Sequence, residues 1–402
     1  MDISIVTNTL LKLLEHFDFS MAGEAFEKYL KYLPIFIIGA LLALILTPII
    51  GQIALKYDIT YKPDSQKKGR DFDNPLKALH EGITPALGGL AITIPAFIAI
   101  LVFFKIDSFT LPIIIALGIL IIGATLDDIL ILPAKIQFLY QILAASVIAF
   151  SLINLTNLSI FNIPLDAYTW NFSIFGLQQS LVLPGDLFLI VWIVVCINAV
   201  KWTAGSPGII ESNSLITFLL IFIIGIRFDS IFSSTISILI AGGLAIFLLF
   251  AMPPQKIMTG SAGKSVYGFL ICVLSIITDA KLSTTIILLA LPIIDFVYVI
   301  IKRYIVYKPK SFKELLKING PDHFHHQLIK LGLTRIQIVL VEMAITLLLG
   351  SFAILTTGAL TYFILVFVVA IALGIIVYIN IRATRKQKKE EKTESPESRY
   401  SY

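Results

Sequence analysis

Two neighbouring carboxylates, Asp127 and Asp128, stand at the end of an apolar run in GATLDDILILPAKIQFLYQ. A charge at the edge of hydrocarbon costs about 2–3 kcal/mol or more, so such a pair usually binds an ion or does chemistry. Hard oxygen ligands suit magnesium, which is held by one or two carboxylates together with substrate phosphates. The bland alternative is a solvated helix end. Lys135, eight residues past Asp127, either holds a phosphate or snorkels to lipid headgroups. A second cluster, His323, His325 and His326 in GPDHFHHQL, gathers three of the five histidines within four residues, beside Lys308, Lys310, Lys313 and Lys317. Clustered imidazoles donate hydrogen bonds to a diphosphate or bind a transition metal. A solvated loop is the alternative there.

Weaker signals accompany these two. Thr84, Pro85, Ala86, Leu87, Gly88 and Gly89 open an apolar run, where glycines permit close backbone approach and, taken alone, point to helix packing. Asn198, Lys201 and Glu211 fall in the glycine-broken segment NAVKWTAGSPGIIESNS, and Asp295 lies inside LPIIDFVYVIIKR. An acid within a span is a functional hypothesis by default, with a helix–helix hydrogen bond as its rival. GSAGKS at 260–265 resembles a phosphate-binding P-loop, but Met258 stands where GxxxxGK[ST] needs its first glycine, and no strand–helix nucleotide domain surrounds it. Cys196 and Cys272 both sit in apolar runs, which leaves no disulfide framework and no thiolate metal site.

These side chains need elements to position them, and the composition says which. Of the 402 residues, 57% are hydrophobic and 14% charged, with a mean hydropathy of +0.91. Ordinary soluble domains carry about 25% charged residues. A bilayer core about 30 Å thick takes about 20 apolar residues as helix. Spans are expected near 33–53, 85–104, 111–125, 136–153, 187–200, 215–226, 231–252, 266–278, 284–304, 336–357 and 360–381. The chain reads as an all-α polytopic integral membrane protein with about eleven transmembrane helices. The first thirty residues carry Glu15, Asp18, Glu24 and Glu27 and do not form a cleavable signal peptide.

Basic residues set the orientation. With the N-terminus outside, the outer segments hold Lys12, Lys28, Lys31, Lys105, Arg227 and Lys281, six of the thirty-one, and twenty-five fall inside. Residues 154–186 contain no lysine or arginine, and the alternation around Leu158–Phe161 and Trp170–Ser173 predicts a small extracytoplasmic β-hairpin. The polar loops then gather on the cytoplasmic face, with a solvated tail at 382–402. The net charge of +5 belongs to this asymmetry and implies no nucleic-acid partner.

Taken in order, these pieces resemble the polyprenyl-phosphate N-acetylhexosamine-1-phosphate transferases, from about Leu33 to Arg335 and more loosely beyond. The motifs are His80 followed by TPALGG, DDILILPAKIQFLYQILAA with Asp127, Asp128, Lys135 and Gln141, then Asn198, TGSAGKSVYGF, LPIIDFVYVI and GPDHFHHQL. The resemblance implies transfer of a sugar-1-phosphate from a UDP-sugar to undecaprenyl phosphate, with Mg²⁺, at the cytoplasmic face of the cell membrane. It implies that Asp127 and Asp128 hold the metal or take the acceptor's proton. His80, Lys135, Asn198, Lys201, Lys264, Asp322, His323, His325 and His326 would bind the substrates, grooves between spans would take the prenyl chain, and a homodimer is allowed. On this reading the chain divides into an outer segment 1–32, a transferase core 33–335, two last helices 336–381 and a disordered cytoplasmic tail 382–402.

The sequence departs from the family pattern at three acids. The third cytoplasmic loop usually reads NxxNxxDGxDG, and here Lys201, Ala204 and Pro207 replace its second Asn and both Asp; Ser261 replaces a further Asp. Lys201 and Lys264 are expected to enter the same cavity, where a lysine fills much of the electrostatic role of a divalent cation. Two readings follow: an enzyme with a rearranged site in which Glu211 or Asp295 contributes, and a non-catalytic relative that binds prenyl phosphate or nucleotide sugar. Transport would call for inverted repeats and broken helices near mid-membrane, and no repeat is evident.

Overall fold

The computed structural model describes residues 27–61, 83–278 and 282–393, except 155–156, 159–162, 175, 312–313, 316–317, 319, 357 and 359. The apolar runs become helices because a backbone in hydrocarbon must satisfy its own hydrogen bonds. In order these are α1 (Leu33–Lys56), α2 (Leu90–Phe103), α3 (Thr110–Leu130), α4 (Ala134–Ala149), α5 (Gly185–Trp202), α6 (Ile209–Arg227), α7 (Ile231–Ala251), α8 (Gly260–Ile277), α9 (Leu282–Leu288), α10 (Ala290–Tyr307), α11 (Phe324–Lys330), α12 (Arg335–Ser351) and α13 (Leu360–Thr393). Among the described residues eight helices are long and apolar enough to cross a bilayer, and α2 and α4 are shorter apolar helices. The protein is a multi-pass membrane protein.

Helices α6, α7 and α8 form the centre. Their apolar stretches are 78%, 72% and 78% buried, against 17% for the stretch leading into α1 and 28% for α13. The outer helices therefore present apolar side chains such as Leu41, Ile45, Phe363 and Val366 outward, as a lipid-facing surface requires. Between α1 and α7 the contact is made by small residues. A Cβ at Gly39 would sit 2.0 Å from the Leu239 carbonyl oxygen, and one at Gly242 2.0 Å from that of Phe36. The two backbones touch there, as membrane helices do where packing replaces the hydrophobic effect. Polar side chains inside the bundle find partners across helices: Asn213 donates to Glu342 at 3.2 Å and accepts from Thr346 at 3.1 Å, joining α6 to α12.

Three expectations change. The span expected over 284–304 is two helices, α9 and α10, bent by 81° at Leu289. The Leu–Ile run is equally apolar on both sides of that bend, so hydropathy alone cannot locate it. The hairpin pairs Tyr168–Ile174 (β5) with Leu177–Leu183 (β6) rather than with the stretch around Leu158. The left-handed Gly176 (φ 79°) makes the turn between them. Leu158 pairs locally instead, Asn157–Leu158 (β3) against Ile163–Pro164 (β4), while Thr60–Tyr61 (β1) pairs with Thr84–Pro85 (β2). Asp186 fastens the hairpin to α5 by accepting from the Val182 amide at 2.5 Å and from Asn154 at 3.0 Å. Lastly, α13 runs on to Thr393, so 382–393 of the expected disordered tail is helical. Its Arg, Lys and Gln are strong helix formers, and cations suit a helix C-terminus.

The helix contact at Gly39 and Gly242 yields the first prediction. Gly39→Val or Gly242→Val lowers the thermal unfolding temperature in detergent, an overpacking cost of about 1–3 kcal/mol. Gly374→Ala, where a Cβ meets nothing within 4 Å, leaves it unchanged. Equal stability of all three variants removes this contact from the fold's supports.

Candidate active site

The Asp127-Asp128 pair ends α3, and the chain then turns through Ile131, held left-handed at φ 55°. This turn folds the next segment back over Asp127, which is only 2% exposed. Asp127 Oδ1 accepts from the Leu132 amide at 3.0 Å and from Gln137 Nε2 at 2.9 Å, and Oδ2 accepts from the Ser261 hydroxyl at 2.7 Å. Asp128 points at the start of α8. Its two oxygens accept from the Ser261 amide at 2.8 Å each, with the Ala262 amide at 3.4 Å. A carboxylate at a helix N-terminus meets unpaired N–H groups and the positive end of the dipole.

Gly260 makes that approach feasible. It takes φ +70°, and a Cβ there would lie 2.0 Å from the Ala86 carbonyl oxygen and 2.6 Å from Asp128 Oδ2. The TPALGG segment is laced to the same turn: the Met258 amide donates to Pro85, and the Gly88 and Gly89 amides donate to Met258 and Thr259, each at 2.8 Å. Two motifs far apart in the sequence thus form one backbone platform under the aspartates.

Lys201 and Lys264 approach this platform by different routes. Lys201, in the last turn of α5, donates to Gln137 Oε1 at 3.1 Å, so Gln137 links it to Asp127. Lys264 lines a small cavity with Ala204, Ser206, Glu211, Gln255 and Thr259. Its ammonium acts on the carboxylates of both Asp128 and Glu211. Glu211 accepts from the Thr259 hydroxyl, while its Oε2 is buried without a hydrogen-bond partner. Lys201 reaches across to Gln137 of α4, whereas Ala204 and Lys264 line one cavity beside the loop after α5.

The histidine cluster is built on α10. Asp295, 4% exposed, lies 2.8 Å from His323 Nδ1 through Oδ2 and accepts from the Phe324 amide at 2.9 Å through Oδ1. One acid therefore aims His323 and starts α11. Asp322 pairs with Lys302 at 3.1 Å and Arg303 at 3.3 Å. Burial opposes ionisation of Asp322, but these two cations prevail and hold its carboxyl below the usual carboxylate range. The rings of His325 and His326 lie 4.2 Å apart. Burial, and then the neighbouring imidazoles, push His325 well below the ordinary histidine value and His326 down to about 3. Both are neutral at physiological pH and can donate an N–H without carrying charge. His325 Nε2 and His326 Nδ1 are buried without hydrogen-bond partners.

The end of α5 joins the halves. Lys201 reaches the aspartate side, and its neighbour Trp202 stands edge-on to His323 with ring centroids 6.1 Å apart. In the following loop Gly205 lies against His325, since a Cβ there would overlap Nε2. Asp127, Asp128, Lys201, Lys264, Asp322, His323, His325 and His326 thus gather around the ends of α3, α5, α8 and α10. Asn198, one turn earlier on α5, is bonded to Gln141 at 2.7 Å. Lys135 is exposed on the first turn of α4 and takes no part in these bonds. His80 lies outside the described residues.

Sequence reasoning missed Gln137, Trp202, Lys302 and Arg303. Lys302 had a signal, since it follows Asp295 by seven residues and so shares its helix face. Gln137 had none, because its role depends on a turn through Ile131 that no motif announces. For a metal, the donor set is limited: among the described residues no group of three or more His, Cys, Asp or Glu side chains is arranged to hold one. Asp127 and Asp128 do converge on Ser261, which fits a cation shared between two carboxylates and substrate phosphates rather than a closed protein cage.

Comparison with known proteins agrees with this geometry. The pattern described as glycosyl transferase family 4 matches residues 109–279, which span the aspartate pair, the α5–α6 loop and the α8 platform. The chain is 27% identical over 366 residues to the probable undecaprenyl-phosphate N-acetylglucosaminyl 1-phosphate transferase of Bacillus subtilis (strain 168), covering 89% of this chain and 92% of that protein. It is 28% identical over 307 residues to the phospho-N-acetylmuramoyl-pentapeptide-transferase of Staphylococcus carnosus (strain TM300), covering 73% and 89%. The chain is thus similar to glycosyl transferase family 4 over residues 109–279 and, at low identity, to these two transferases over most of its length.

Proposed function

We propose that this protein transfers N-acetylhexosamine-1-phosphate from a UDP-sugar to undecaprenyl phosphate at the cytoplasmic membrane face, opening the synthesis of a cell-envelope glycan. The observation that carries this reading is the α5 terminus, where adjacent residues bridge a carboxylate pair and an imidazole cluster. Phosphoryl transfer between two phosphorylated substrates needs that combination. An acceptor phosphate oxygen attacks the sugar-linked phosphorus, the bond from that phosphorus to the bridging oxygen breaks, and UMP leaves. Negative charge spreads over the phosphoryl oxygens as this happens, so preorganised donors and cations do the catalytic work.

The residues divide those tasks. His325 and His326, neutral and with buried unpartnered nitrogens, suit hydrogen bonding to the diphosphate. Asp295 fixes His323 as a third donor, and Lys201 and Lys264 supply fixed positive charge. Asp127 and Asp128 would hold Mg²⁺ jointly with the substrate phosphates, where the ion would neutralise developing charge. A non-catalytic binding role is favoured by one observation, that the α8 amides already satisfy Asp128. A transfer assay separates the two.

In that assay, purified protein with radiolabelled UDP-N-acetylhexosamines, prenyl phosphate and Mg²⁺ yields labelled lipid. Asp127→Asn and Asp128→Asn each reduce the yield by about 100-fold or more while extraction from the membrane is unchanged. A parent protein that makes no lipid product at any metal concentration rules out the enzyme. The lysines are tested by calorimetry: Lys264→Ser weakens UDP-N-acetylglucosamine binding by about tenfold, the scale of one charge-assisted hydrogen bond. Unchanged affinity, with and without magnesium, removes Lys264 from the diphosphate site. For orientation, a reporter fused after Asp166 is expected outside and one after Gly320 inside, because basic residues are absent from the first segment and crowded in the second. Both reporters on one side would overturn the threading.

A further inference from the structure

Beyond the site just described, a run of basic residues follows the apolar stretch of α13. From Leu360 to Ile381 this helix is almost wholly apolar, about 33 Å at 1.5 Å per residue, which matches a hydrocarbon core of about 30 Å. Arg382, Arg385, Lys386 and Lys389 follow at once, spaced so that all four lie on one helix face. That face lines a cleft whose other wall is the turn after α11 at Leu331, with Tyr378 and Ile379 toward the membrane. Arg382 Nε donates to the Tyr378 hydroxyl at 3.1 Å, which holds a guanidinium at the depth of the headgroups. At Gly332 (φ +94°) a Cβ would lie 3.3 Å from Lys386 Nζ, so the ammonium rests close to a backbone turn bare of any side chain.

The positive charge continues inward. Lys302 reaches Asn380 of α13 at 3.4 Å, and the ammonium of Lys330 is pushed below the ordinary lysine value by burial and then by repulsion from Lys302. Asp322, paired with Lys302, offsets part of this charge. An anion held by the arginines of the cleft, with Tyr378 and Ile379 toward the membrane, must be amphiphilic.

We infer that the cleft between the Leu331 turn and the basic face of α13 binds the phosphate headgroup of an anionic phospholipid. The headgroup sits among Arg382, Arg385 and Lys386, with its acyl chains along the lipid-facing side of α13. Juxtamembrane lysines and arginines each contribute favourably to such binding, and the cleft adds shape to the charge. Because α11 packs on α13, the bound lipid also braces the helix that carries His325 and His326.

The test uses the full chain in neutral-lipid nanodiscs supplemented with phosphatidylglycerol, with native mass spectrometry counting retained lipid. The parent retains phosphatidylglycerol over phosphatidylcholine. Arg382→Ala/Arg385→Ala/Lys386→Ala lowers the apparent affinity on the order of 100-fold, the product of three surface charges. Arg382→Lys/Arg385→Lys retains the lipid, as does Lys308→Gln/Lys310→Gln, which removes two cations elsewhere on the same face. Equal retention by the parent and the triple alanine variant overturns the inference. So does displacement of the lipid by inorganic phosphate at equal concentration, which would mark a site for free phosphate. The readout is lipid retention and is independent of whether sugar-phosphate transfer occurs.

Discussion

Two carboxylates at the edge of hydrocarbon cannot rely on water, and the protein surrounds Asp127 and Asp128 with its own donors. Satisfying Asp128 requires a helix N-terminus, so α8 starts against α3. Starting α8 there requires the positive φ of Gly260, and closing the gap requires the Pro85–Gly89 backbone to lie against Met258 and Thr259. Satisfying Asp127 requires Gln137, hence the left-handed turn at Ile131 and the return of α4. Lys201 then completes the chain of partners from α5. Four helices are held at one end by what this acid pair needs.

How much of this the sequence discloses depends on whether a feature is local. Apolar length is local, so the spans are legible, and the cost of an acid beside hydrocarbon is local, so Asp127 and Asp128 stand out. The clustering of His323, His325 and His326 is local as well. Hydrogen-bond partners are not. Gln137 looks like any polar residue in a short apolar helix until the turn brings it to Asp127. Ser261 looks like the loss of an acid, yet it links both aspartates by its amide and its hydroxyl. The bend at Leu289 is invisible to hydropathy, and its one local mark is Pro292 in the first turn of α10.

Ala204 and Lys264 are intelligible as a pair. They share a cavity with Glu211, where the loop offers a methyl group and the facing helix an ammonium. Asp128 and Glu211 face one lysine that lies between the aspartate platform and the loop after α5.

Lys201 and Trp202 are successive residues on one helix, so their side chains leave it about 100° apart, the angular step of an α-helix. One serves the carboxylates and the other the imidazoles. The angle between the two halves of the site is therefore fixed by helical phase and not by any loop. A one-residue insertion or deletion upstream in α5 would rotate both contacts together and leave neither in place.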